Sequence, residues 1–407
     1  MDHRMRINAV RRSTTAVVAL TAAVALTACS ADTSTTSDAA TTSDGATAEP
    51  GPRVVVSYAG GLRVLDAETL ADVADFTSED YTRLNAAGDG RHVMVTTSAG
   101  FQVLDTAAGT ADTPELTDTV FPAEKPGHVV HHAGRTVLYA DGTSDTTILD
   151  TAALGTTDGM PETETVPGTE AHHGVSVVLS DGTLLTTVGN ANGRTGIEAR
   201  SENGDVVASS DRCPGIHGEG TAQDERVVFG CENGALVYDR GEVTKLDAPD
   251  QPYGRMGNTY VSETSPLVVG DYKDDPDAEG LLLDRVTVVD TEAKTLDVVD
   301  LPAGVEYTWR GVTRGPNDLA YLIGTDGAVH VFDPTTRTVT ASYPVIGEWD
   351  GPARYQDAHP GISVVGDTAY VTEPATNTVH ALDLTTGDVV ATATLDVTPN
   401  EFVAVAG

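Results

Sequence analysis

The sequence predicts an all-β fold, a β-propeller of eight four-stranded blades, and three features carry that reading. An apolar-Asp pair ends a short alternating run at Leu65-Asp66, Leu104-Asp105, Leu149-Asp150, Tyr238-Asp239, Val289-Asp290, Phe332-Asp333 and Leu382-Asp383. The Asp-to-Asp spacings are 39, 45, 89, 51, 43 and 50 residues, and the 89 holds two periods with a degenerate copy near Ile197-Glu198. Runs rich in Val and Thr alternate with Gly, Asp and Asn clusters, which is the pattern of strands joined by hairpins. Four such runs per 40 to 50 residues make a propeller blade. Seven blades is the alternative if one irregular segment is an insertion.

The elements follow in chain order. Residues 1–28 read as a lipoprotein signal peptide. Arg4, Arg6, Arg11 and Arg12 form its basic start, and Ala16 to Ala28 is an apolar run too short to span a bilayer. The run ends in Leu26-Thr27-Ala28-Cys29, which fits a lipobox with lipidation at Cys29 better than a plain secretory site. Residues 29–52 are the lipidated Cys and a linker of Ser, Thr, Ala, Asp and Gly that cannot bury a core. The protein is therefore expected outside the cytoplasm, a monomer held to the outer face of a bacterial membrane by its lipid alone.

Residues 53–407 form the propeller. A complete unit is seen at its end. His359-Pro-Gly-Ile-Ser-Val-Val opens it, Thr368-Ala-Tyr-Val-Thr is the second run, and Thr378-Val-His-Ala-Leu-Asp383 is the third. The turn Leu384-Thr-Thr-Gly387 then leads into the outer run, and the Asp can bond the backbone of that turn. Ala369-Tyr-Val-Thr-Glu-Pro-Ala-Thr-Asn377-Thr-Val also resembles the YVTN-type propeller repeat, which implies a fold and no function. Residues 53–80 supply only three runs, and Phe402-Val-Ala-Val-Ala-Gly407 supplies the missing innermost one. Pairing the two ends closes the ring and removes open edges.

Composition limits the function. Lys+Arg number 24 against 61 Asp+Glu, a net charge of −37, or −40 once residues 1–28 are removed. Nucleic-acid binding needs a basic face, and the acidity argues against it. Cations or basic partners suit the charge better. With Cys29 spent on lipid, Cys213 and Cys231 remain, and in an oxidising compartment they are expected to pair as a disulfide.

The candidate chemistry lies in the histidines. His330 and His380 share one place in the third strand of their blades, a polar place read as solvent-facing, and His92 is read as surface too. His128, His173, His217 and His359 differ. Aligned on the second strand of each blade, they all fall at the start of the innermost strand, where strands crowd one mouth of the central channel. His172 adjoins His173, and His131 and His132 follow His128. Glu170, Glu219 and Asp357 stand close by in sequence. Several imidazoles with a carboxylate suit Zn²⁺, and neutral imidazole also suits Cu and Ni. The ligand set is drawn from His128, His173, His217, His359, Asp357, His172, His132 and Glu219. Ordinary imidazoles would lose the metal to protons below roughly pH 6. No GxSxG elbow or HExxH motif is present to mark a catalytic site. Two other readings share this scaffold. One is a metal-dependent, lactonase-like hydrolase, and the other is a metal-free surface interaction propeller.

Taken together, Gly127-His128-Val-Val-His-His132, Glu170-Ala-His-His173-Gly, Gly215-Ile-His217-Gly-Glu219, Gln356-Asp357-Ala-His359-Pro-Gly and Pro399-Asn-Glu-Phe-Val-Ala-Val resemble the periplasmic zinc metallochaperones of the AztD family. The resemblance covers most of residues 53–407. It implies a secreted propeller, with no catalytic role, that holds Zn²⁺ and hands it to the solute-binding protein of a zinc ABC importer. One departure is plain. Family members can carry a His-rich segment near the N-terminus, and no His lies between His3 and His92 here.

Overall fold

The computed structural model describes residues 50–156, 159–278 and 280–407. The signal peptide, Cys29 and all but the last three residues of the linker lie outside the described residues. The rest forms eight sheets of four antiparallel strands, consecutive in the chain except in the blade that joins its two ends, and Gly254–Arg255 adds a short parallel edge to one of them; these are the eight blades foreseen from the repeat. The innermost strands are Phe402–Val405 in blade 1, Leu84–Ala86 in blade 2, Pro126–His132 in blade 3 and Ser176–Val178 in blade 4. Those of blades 5 to 8 are His217–Thr221, Thr259–Tyr260, Val312–Arg314 and Ile362–Val365. Each innermost strand touches the next, from blade 5 round through blades 8 and 1 to blade 4.

Closure uses both ends of the chain. Phe402–Val405 pairs antiparallel with Arg53–Tyr58, placing Val56 opposite Phe402 and Arg53 opposite Val405. The degenerate copy near Ile197 is the strand Gly193–Arg200, the third of blade 4.

Each blade is sandwiched between two others, so its second strand is buried on both faces. In Arg53–Tyr58, Val54 and Val56 pack towards blade 8 beside Tyr370 and Val379. Val55 packs the opposite way, against Leu62, Leu84 and Val93 of blades 1 and 2. Each fully buried Val contributes roughly 1.5–3 kcal/mol. Outer strands meet solvent and alternate, as in Asp72–Thr77. A Val55→Asp change would put an unpaired charge between two blades and break their contact.

The apolar-Asp pair ends the third strand and holds the turn to the fourth. Asp66 Oδ1 accepts from the backbone of Thr69 at 2.9 Å, and Asp290 Oδ1 from that of Ala293 at 2.8 Å. Asp383 Oδ1 accepts from Thr385 at 2.7 Å. The residue four places on is left-handed: Leu70, Lys294, Arg337 and Gly387 have φ of 57°, 56°, 60° and 79°. Of these four only the last is glycine, for which that conformation costs least, and Gly109, four places after Asp105, is another at φ 73°.

Cys213 and Cys231 form the expected disulfide, with Cα atoms 4.9 Å apart. Cys213 lies on the segment entering blade 5, and Cys231 ends that blade's second strand. The bridge therefore pins the chain immediately before His217.

Three surface readings are corrected. His92, His330 and His380 are buried. His92 Nδ1 meets Asp89 at 2.5 Å, His330 Nδ1 meets Ser342 at 2.8 Å, and His380 Nδ1 meets Thr392 at 3.0 Å. The third-strand position is polar because it carries hydrogen bonds within a closed interface, not because water reaches it. Arg63 occupies the same place and is buried against Asp75 and Asp396.

Candidate metal centre

His128, His173 and His217 come from three adjacent blades and converge at one mouth of the channel. Their ligand atoms lie within 4.8 Å of one another. The ring centroids form a near-equilateral triangle of 5.1, 5.2 and 5.1 Å. A tetrahedral Zn²⁺ with Zn–N of about 2.0–2.1 Å needs nitrogens roughly 3.4 Å apart, so a small inward movement closes the set.

Local irregularity aims each side chain. The register of the blade 3 inner strand shifts between Pro126 and Val129, at His128. That of blade 5 shifts between His217 and Glu219, with Gly218 at φ 62°. Such bulges redirect side chains at strand ends. His173 sits in the loop before Ser176–Val178, where the Gly174 amide reaches Asp141 at 3.4 Å. Gly127 is also required: a Cβ there would strike the Asp141 carboxylate.

Asp141 holds His173. Its Oδ2 accepts from His173 Nδ1 at 2.6 Å. His217 Nδ1 donates to the Gly257 carbonyl at 2.5 Å. Both acceptors require the proton on Nδ1, so both Nε2 lone pairs are left for a metal. Burial pushes His128 well below the ordinary imidazole value, with His217 and Arg83 adding to the effect. His217 is pushed down to about 3, first by burial, then by His173, Arg255 and Arg194. Burial therefore favours the neutral, metal-binding form of both rings, so the acid limit of metal binding should lie lower than ordinary imidazoles would set it.

The other predicted ligands stand elsewhere. His359 occupies the equivalent place in blade 8, which lies across the ring from blade 4, so equivalence of position does not bring it to the trio. Its Nδ1 donates to the Asp357 carbonyl at 2.7 Å, its Nε2 is buried without a hydrogen bond, and burial, then Arg310, press it down to about 4. The Asp357 carboxylate binds Arg354 at 2.5 Å. His172 turns away from the trio, with Nε2 3.0 Å from the Tyr139 hydroxyl and Nδ1 2.9 Å from that of Ser144. His132 ends the strand that carries His128, about 13 Å further along it, and meets Glu225 at 2.7 Å. Glu219 lies beyond the Gly218 bulge, buried and with no partner for Oε2, and burial pushes it up to about 8. Sequence reasoning missed Asp141 and Gly257. Asp141-Gly142 reads as a hairpin turn, and only its nearness to the mouth gives it a further role.

No family model matches the chain. Among curated proteins it is similar to one of stated role. That protein is the zinc chaperone AztD of Citrobacter koseri, 23% identical over 368 residues, covering 85% of this chain and 84% of the relative. Two solved structures of Citrobacter koseri AztD superpose on it. The apo form has a TM-score of 0.73 and the other 0.74. Both are 22% identical and cover 88% of this chain and 98% of theirs. The resemblance read from the sequence is borne out. Dihydro-heme d1 dehydrogenase NirN, in complex with DHE, shares the fold at a TM-score of 0.56 and 12% identity, over 86% of this chain and 74% of its own.

Proposed function

We propose that the chain is an extracytoplasmic zinc chaperone. It binds Zn²⁺ through His128, His173 and His217 and passes it to the solute-binding protein of a zinc ABC importer. The observation that carries this reading is the trio itself: three imidazoles from separate blades, two of them held in the metal-binding tautomer by Asp141 and Gly257. The similarity to zinc chaperone AztD supports it. Three protein nitrogens leave a tetrahedral ion one open position, which an incoming ligand can enter before the others let go.

Extracytoplasmic placement accords with the disulfide. Lipidation of Cys29 would tether the propeller to the membrane. A flexible linker of residues 30–52 would reach roughly 25 Å on average. The acidic surface suits an acceptor with a basic docking face, and salt would slow their encounter.

The test is a transfer assay. Zinc-loaded protein is mixed with the apo solute-binding protein of the same cell while a chelator is varied. Direct transfer gives a rate that rises with acceptor concentration and exceeds spontaneous release to chelator. A rate that never exceeds that release defeats the chaperone reading. Metal-dependent hydrolysis of lactones or esters would favour an enzyme instead.

A further inference from the structure

His217 is held by a backbone carbonyl, and that carbonyl is itself held. The Gly257 oxygen that accepts from His217 Nδ1 belongs to the peptide unit joining Gly257 to Asn258. The N–H of the same unit, on Asn258, donates to Asp271 Oδ1 at 3.0 Å. One planar group therefore connects the imidazole to a carboxylate, its oxygen on the ring and its N–H on the acid. The Gly257 amide donates to the same Oδ1 at 2.5 Å, and Asn258 Nδ2 donates to Oδ2 at 2.6 Å.

Asp271 ends the second strand of blade 6, opposite Val286, and is 6% exposed. Among the described residues it forms no ion pair, and its three donors all come from Gly257 and Asn258. A buried carboxylate is costly unless it is hydrogen-bonded. Burial pushes Asp271 above the ordinary carboxylate value, while the Asn258 and Gly257 donors act the other way. The neighbouring glycines make room for the arrangement. A Cβ on Gly218 would come within 2.7 Å of the Gly257 oxygen, and one on Gly257 would stand 3.3 Å from both Asp271 oxygens. The Met256 amide donates to the Cys231 carbonyl at 3.0 Å, so the segment is fixed to blade 5 on one side and to blade 6 on the other.

We propose that Asp271 is a positioning residue of the zinc site: through the Gly257–Asn258 peptide it keeps the His217 proton on Nδ1 and so leaves Nε2 open to the metal. This rests on the zinc reading above. A carboxylate that accepts from the N–H side of a peptide polarises its carbonyl and makes it a stronger acceptor on the other side. Asp271 thus does for His217 across one peptide what Asp141 does for His173 by contact. It does so from a different blade, so the seam between blades 5 and 6 sets the orientation of a ligand.

The experiment reads tautomer and affinity together. Full-length protein carrying ¹⁵N-histidine is studied by NMR without metal, with the His217 signals assigned by their loss in His217→Gln. Wild type should carry the His217 proton on Nδ1. Asp271→Ala should shift the ring towards the Nε2–H form and lower zinc affinity by about 10- to 100-fold, read by competition with a chromophoric chelator. Asp271→Asn keeps an oxygen for the two backbone amides, and Asn258 can turn its side chain to meet the new amide group. It should restore the Nδ1–H form and most of the affinity. In wild type the Asn258 amide proton should move downfield when zinc binds, because a metal on Nε2 makes Nδ1–H a stronger donor along the chain. Asp271→Ala with wild-type affinity and an unmoved tautomer overturns this inference. Lost affinity with an unmoved tautomer overturns it too, since the carboxylate would then serve only the fold. If Asp271→Ala does not fold, the wild-type Asn258 amide decides: movement supports the relay and no movement overturns it. Zinc uptake by wild type leaves the zinc site standing in all of these outcomes. A wild-type protein that takes up no zinc overturns the zinc reading and this inference with it.

Discussion

Replacing Asp141 with Asn separates the two ways in which a carboxylate can serve a metal site. The carboxylate lies 2.6 Å from His173 Nδ1, and its side chain is 22% exposed. Asn keeps the shape and an acceptor oxygen, so the ring stays in the same tautomer while the charge is lost. A zinc ion on Nε2 would stand roughly 6–7 Å from that charge, across the ring and a Zn–N bond of about 2.1 Å. Coulomb's law gives about 5 kcal/mol for this pair at an effective dielectric of ~20 and about 1.3 kcal/mol in bulk water. Both side chains are partly exposed, so solvent screens the pair and the lower half of that range applies. The expected loss is 10- to 100-fold in zinc affinity, about 1.4–2.7 kcal/mol.

The assay is equilibrium competition with a chromophoric zinc chelator, with His173→Ala measured beside it. His173→Ala removes a ligand and should lose far more affinity than Asp141→Asn. If Asp141→Asn binds zinc as wild type does, the carboxylate does not tune the site. If it loses zinc as completely as His173→Ala, Asp141 is itself a ligand and the positioning argument is wrong.

His128→Ala and His217→Ala should weaken zinc binding by orders of magnitude, whereas His132→Ala, His172→Ala and His359→Ala should not; the same competition assay checks all five. Burial of His217, whose value falls to about 3, sets the sign of a pH effect. The unfolded chain takes up a proton near pH 6.5 and the folded zinc-free chain does not, so this residue's contribution to stability is present above about pH 6.5 and is lost as the pH falls towards 3. Denaturant melts of wild type and His217→Gln across that window should differ in slope. Zinc binding should likewise hold to a lower pH than ordinary imidazoles would allow, and a steep loss starting at pH 6.5 would contradict the desolvation of His128 and His217. Replacing Cys213 and Cys231 together with Ala should cost on the order of 3 kcal/mol for an 18-residue loop, read as a lower denaturant midpoint.

The ring was legible because its signal repeats. Seven of the eight blades carry the apolar-Asp pair, and seven copies give a period that one strand alone cannot. The exchange of terminal strands was legible because one blade was short by a run and the other end had a run to spare. Burial of polar positions was not legible. Alternation separates two faces of a strand but does not say whether the second face meets water or another blade. His330 and Arg63 are hidden in such an interface and satisfied there by carboxylates. The site divides in the same way. Register equivalence picked out His128, His173 and His217, but it could not remove His359, because equivalence places a residue at a mouth without saying on which side of it. Glu219 looked close in sequence, and the Gly218 bulge separates it from the ligand group.

The three histidines of the trio are not held alike, and this bears on how a metal would leave. His128 and His217 lie on inner strands fixed by sheet pairing, and both are buried enough to be kept neutral. The loop residue His173 has a side chain 37% exposed and depends on a single carboxylate for its orientation. Strand-held ligands give a preformed half-site at little cost in ordering. A loop-held ligand is the one that solvent or an incoming group can reach and displace. On the proposed reading, therefore, exchange begins at His173. Tight holding and fast release need not oppose each other when they are assigned to different blades: two rigid imidazoles set the affinity, and the third, through Asp141, sets the exit.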